Sequence, residues 1–145
     1  MKFKLNKIFG KSNHEPTTAA HNVNNIEDII KSVDGDAFAI SEHDVLFAKT
    51  SELGGYFYVI AIIIGAFKIK TTKGATLNIK GTNFDLLLNS DMDEFESEHT
   101  HISKRYVSRI DFQIEKEDVS KFDKTRIKTL KLSTKKKAVV FTTVS

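Results

Sequence analysis

The sequence predicts an all-β domain, mainly antiparallel, with one short N-terminal helix: a two-layer β-sandwich or a partly open barrel. Three observations carry that expectation. From Tyr106 to Glu115 the chain alternates, with Ile110, Phe112 and Ile114 on one side and Arg109, Asp111, Gln113 and Glu115 on the other. That is the period-two pattern of a half-buried strand. Elsewhere short apolar runs are separated by two- or three-residue polar turns, the spacing of an antiparallel meander. Only one segment has helical periodicity.

Residues 1–22 have no periodicity. Lys2, Lys4, Lys7 and Lys11 surround Leu5, Ile8 and Phe9, and a polar stretch with the single proline, Pro16, follows. We read this as a basic arm and linker, with a single β-rich domain over residues 23–145. The helix is expected over about residues 24–34. Ile26, Ile29, Ile30 and Val33 recur at helical spacing and form one stripe, Asn24 and Glu27 suit a capping box, and Gly35 suits an exit.

Strands are expected from about residue 37 to 144. Phe38-Ala39-Ile40 and Val45-Leu46-Phe47 are short apolar runs. Tyr56 to Phe67 is the most hydrophobic stretch of the chain. It is too short for a membrane-spanning helix, which needs ~17–25 residues, and its β-branched and aromatic content favours a buried strand. The alternations of Phe67 and Ile69, then Leu77 and Ile79, then Phe84, Leu86 and Leu88 are punctuated by turns at Lys73-Gly74 and Gly81-Thr82-Asn83. Asp91 to Glu98 reads as a strand continuation or a loop, and 117–122 as one helical turn at a corner. A last hairpin pairs Leu130 and Leu132 with Val139 and Phe141.

Composition narrows the function classes. With no cysteine, thiolate catalysis, cysteine–zinc sites and disulfide stapling are excluded. No apolar core of a signal peptide follows the basic N-terminus, so a cytoplasmic, non-transmembrane protein is expected. Nucleophile-elbow, nucleotide-loop and HExxH patterns are absent, which lowers the expectation of an enzyme, and no cofactor is expected. Net charge is only +3, but it is banded: residues 68–80 hold four lysines and no acid, 81–101 six acids and no base, and 104–137 twelve bases and five acids.

Two clusters are candidates for chemistry. In an extended segment, residues two apart share a face, so Glu96 with Glu98 and His99 with His101 are candidate metal ligands. Lys121, Lys124, Arg126, Lys128, Lys131, Lys135, Lys136 and Lys137 form a candidate anion-binding face for nucleic acid or anionic lipid. A solvated loop and a solvated strand face are the ordinary readings of these two patterns. Arg105-x-x-x-Arg109 with Asp118-x-Ser120-x-x-Asp123 has a faint likeness to the motif pair of PilZ-type cyclic-dinucleotide receptors. Asp123 replaces the required glycine and too little chain follows for the barrel of that family, so membership is rejected. The leading functional expectation is a non-catalytic binding or scaffolding module that associates with itself or an unknown protein partner. The first alternative is the anion binder, and the second a hydrolase or metal-binding protein with an unrecognised site.

Overall fold

The structure, a computed structural model, describes residues 26–33, 35–101 and 104–144. The N-terminal arm and the Asn24 cap lie outside these residues. The chain begins with α1 (Ile26–Ser32) and continues through β1 (Ala39–Ile40), β2 (Asp44–Leu53), β3 (Tyr56–Gly65), β4 (Lys70–Thr71), β5 (Thr76–Gly81) and β6 (Asp85–Asn89). Then come β7 (Phe95–Glu96), β8 (Glu98–His99), β9 (Tyr106–Ile114), a 3-10 turn (Lys116–Lys121), β10 (Ile127–Ser133) and β11 (Ala138–Thr143). Nine strands form one antiparallel sheet in the order β6-β5-β10-β11-β1-β2-β3-β9-β8, and β4 pairs with β7 in a second, two-stranded sheet.

The large sheet curls into a half-barrel, which brings the end of β6 against β9. Ser90, just past β6, bridges to Phe112 of β9. Beside that bridge the Asp91 N–H donates to the Asp111 carbonyl at 2.8 Å, and the Gln113 amide donates to the Asp91 carboxylate at 2.9 Å. Inside lie Leu46, Val59, Ile63, Leu77, Ile79, Ile110, Phe112, Leu130, Leu132 and Phe141, all buried in one cluster. At one end the 3-10 turn closes the interior. Val119 and Phe122 pack on the core, and Phe122 stacks on Phe38 with ring centroids 4.8 Å apart.

The hydrophobic run of β3 is explained by burial on both faces. Val59, Ala61 and Ile63 point into the half-barrel. Ile62 and Ile64 join Val45, Phe47 and Val107 in a second cluster outside it, with Ile29 and Val33 of the helical segment packed among them. A seven-residue helix is too short to be stable alone, so α1 holds its shape through this packing. Ile29 is fully buried. Ile29→Ala is expected to remove about 3 kcal/mol of stability, which a urea unfolding midpoint reads directly.

β2 and β3 are joined by Gly54-Gly55, with φ of 60° and 85°, the two positive values a tight two-residue hairpin turn demands. Leu53 and Tyr56 flank this turn and are 73% and 70% exposed. Among the described residues no helix is long and apolar enough to cross a membrane.

Candidate anion-binding site

One end of the half-barrel gathers the C-terminal end of β3, the start of β5, and the ends of β6 and β10. Pairing of β5 with β10 places Thr76 opposite Ser133. The loop that precedes β5 and the turn that follows β10 therefore lie side by side. Both are lysine-rich. Together they wall a hollow of about 540 Å³. Lys68, Lys70 and Lys73 come from one side and Lys135, Lys136 and Lys137 from the other, with Thr71, Thr72 and Thr134 between them.

Hydrogen bonds donated by backbone N–H groups fix both walls. The Thr134 N–H donates to the Lys137 carbonyl at 2.8 Å, and the Lys137 N–H returns to the Thr134 hydroxyl at 3.2 Å, closing the turn. On the other wall the Phe67 N–H donates to the Asp44 carboxylate at 2.8 Å. Two residues on, the Ile69 N–H donates to Ser97 Oγ at 2.7 Å, and Ser97 Oγ lies 2.6 Å from Ser108 Oγ in the interior. Lys137 braces the two walls together: its Nζ donates to the Lys68 carbonyl at 2.9 Å and sits over the Phe67 ring. Lys68 lies over the Tyr106 ring, 5.7 Å from its centroid.

Electrostatically the hollow is one-sided. Its walls carry lysines and threonines and neither carboxylate nor imidazole. Glu96 is the backbone partner of Lys70 across the β4–β7 ladder, yet among the described residues no ion pair joins any of the six lysines to an acid. Six cationic groups around one concavity repel one another, and an anion seated between them relieves that repulsion. No aromatic ring lines the hollow, so it offers point charges and hydroxyl donors rather than a stacking platform.

Asp44 holds the first wall through Phe67, and burial raises its carboxyl above the usual aspartate value, outweighing the Phe67 N–H and the Ser41 hydroxyl, which lower it. A raised native value means that the folded state holds the proton more tightly than the unfolded chain. This group's contribution to stability is therefore full below the unfolded value near 3.8 and is lost as pH rises through the native one. Asp44→Asn keeps an acceptor for Phe67 and removes the charge. Its stability relative to the parent is expected to rise between about pH 4 and pH 7, measured as the difference in urea midpoints at the two pH values.

Of the eight basic residues that the sequence singles out, six divide between the two ends of the half-barrel and two lie between them. Lys135, Lys136 and Lys137 line the hollow. Lys121 is paired with Asp118 at 2.9 Å, Lys124 donates to the Ala37 carbonyl at 2.7 Å, and Arg126 donates to the Ser120 carbonyl while lying over Phe84. These three sit by the 3-10 turn, a strand length of about 20 Å from the hollow. Lys128 and Lys131 are exposed along β10 between the two ends. Lys68, Lys70 and Lys73, which complete the hollow, were not among the sequence candidates; their only signal was the acid-free lysine band at 68–80.

Glu96, Glu98, His99 and His101 are all exposed. The His99 ring packs on Tyr106 at 4.6 Å, and among the described residues no group of three or more His, Cys, Asp or Glu is placed to hold a metal ion. Of the two arginines in the rejected receptor motif, Arg105 is buried and Arg109 is exposed beside Asp111.

No protein-family model matches the chain, and no similar protein emerges among curated sequences or solved structures.

Proposed function

We propose that this chain is a non-catalytic binding module whose ligand is a compact, multiply charged phosphate anion held at the lysine-rich end of the half-barrel. One observation carries the reading: six lysines from two separate segments converge on a hollow that contains no acid. Like charges are costly to bring together without a counter-charge, and here backbone hydrogen bonds and the Lys137 brace hold them so. The concave shape and the absence of lining aromatics favour a small phosphate ligand over a nucleic acid strand, whose bases are held by stacking.

Isothermal titration with sodium tripolyphosphate tests this. Binding is expected at a single site, weakening several-fold as salt is raised from about 50 to 200 mM, because the pairs that form are solvent-facing and screened. Absence of heat at low salt would overturn the proposal. A DNA oligonucleotide or anionic vesicles binding far more tightly than tripolyphosphate would also overturn it, in favour of a polymeric or membrane partner.

A further inference from the structure

A second hollow, of about 560 Å³, opens beside the first and shares Lys73, Thr134 and Lys135 with it. Its chemistry is different. Asn89, Ser90 and Asp93 line its far side, so acceptor oxygens and a negative charge face the two shared lysines. Directly against Asp93 a further phosphate is disfavoured, because the carboxylate repels it. A hydroxyl group is well suited, since an ionised carboxylate and an amide oxygen both accept hydrogen bonds from O–H donors.

The floor between these groups is kept open by Gly74. Its φ is 78°, and a Cβ at that position would lie 2.9 Å from Ser90 Oγ and 3.4 Å from Asp93 Oδ1. Ser90 is already committed, accepting from the Ala75 N–H at 3.0 Å and donating to the Met92 carbonyl at 2.7 Å. The Asp93 backbone carbonyl is committed too, accepting from the Gly74 N–H at 2.6 Å. These bonds fix the shape of the hollow, while the Asp93 carboxylate and the Asn89 amide are exposed along its wall.

We infer that the two hollows form one cleft for a phosphorylated polyol, a sugar or cyclitol phosphate, with phosphates among the lysines and hydroxyls against Asp93 and Asn89. This inference rests on the phosphate reading and deepens it by naming the ligand class. The sign of one substitution separates the two. Asp93→Ala removes a hydroxyl acceptor and a negative charge together, and leaves the backbone carbonyl that Gly74 uses.

The experiment titrates the full chain and its Asp93→Ala and Asn89→Ala variants with inositol 1,4,5-trisphosphate and with tripolyphosphate, which has no carbon-bound hydroxyl. The parent is expected to bind the inositol phosphate at least as tightly as tripolyphosphate. Asp93→Ala is expected to weaken inositol trisphosphate binding about tenfold and to leave tripolyphosphate binding unchanged or tighter, and Asn89→Ala to weaken the inositol phosphate alone. If Asp93→Ala strengthens both ligands, the carboxylate acts only by repulsion; the polyol inference is then overturned while the phosphate reading stands. If neither ligand binds the parent, both fall.

Discussion

Reversing three charges in the hollow, Lys70→Glu with Lys73→Glu and Lys135→Glu, is expected to weaken tripolyphosphate binding by about a thousandfold or more. Each lysine that meets a phosphate oxygen supplies a charge-assisted hydrogen bond of ~1.5–3 kcal/mol, and each glutamate adds repulsion in its place. The same triple variant should fold as the parent does. All three side chains are exposed, and no hydrogen bond, ion pair or ring contact holds their ammonium groups among the described residues. Lys137, which braces the walls, is left in place. A control with the same change in net charge, Lys116→Glu with Lys128→Glu and Lys131→Glu, alters exposed lysines outside the hollow. Its affinity loss is expected to stay within about fivefold, the long-range part that salt screens. Equal losses in the two variants would mean that net charge, rather than this hollow, attracts the anion.

Gly65→Ala is expected to be strongly damaging for a single added methyl, lowering the melting temperature by about 10 °C. Gly65 closes β3 between Asp44 of β2 and Tyr106 of β9. Its φ is 155°, and a Cβ there would overlap the His43 carbonyl and the Asp44 carboxylate. Neither atom can move away cheaply. His43 O is backbone, and the Asp44 carboxylate is tied to the Phe67 N–H. The start of β2 must therefore shift, and strain of this kind costs about 1–3 kcal/mol, occasionally more, against a total stability of ~5–15 kcal/mol for a domain. The control is Gly54→Ala at the β2–β3 turn. There φ is 60° but nothing lies within 4 Å of the added methyl, so only the left-handed penalty of about 1–2 kcal/mol applies. A melting curve on each variant reads the difference. The Gly65 change should also loosen the wall that Phe67 begins and weaken tripolyphosphate binding, whereas the Gly54 change, at the other end of β3, should leave binding intact.

The parts of the fold that were legible in the sequence are those whose burial differs between faces. The α1 stripe of Ile26, Ile29, Ile30 and Val33 faces the sheet as its spacing implies, and β9 buries Ile110, Phe112 and Ile114 while exposing Arg109 and Gln113. Burial of the run after Tyr56 was legible from its composition; its cause was not, because one face packs inside the half-barrel and the other beneath a helix. The far half of β2 was hidden for the opposite reason. Lys49-Thr50-Ser51-Glu52 pairs with β3 as a hairpin arm whose tip is solvated on both faces, so no hydrophobic alternation marks it. The acidic segment, whose sequence suits a strand continuation or a loop, holds the two-residue β7 and the first residue of β8.

The candidate site was legible only in halves. Banding of charge along the chain showed lysines at 68–80 and again in the C-terminal third. Which bands meet is decided by the pairing of β5 with β10, contacts separated by some fifty residues of sequence and fixed by the closure of the sheet. Within 121–137, β10 itself separates the basic residues, because a strand carries its two ends to opposite ends of the half-barrel.

The most direct test is a titration of isotopically labelled protein with tripolyphosphate, followed by backbone amide NMR at low salt. We expect saturable shifts concentrated in residues 68–74 and 134–137, with the amides of 121–128 unmoved. Shifts centred on 121–128, or scattered over every exposed lysine without saturation, would contradict the assignment of the anion to this hollow.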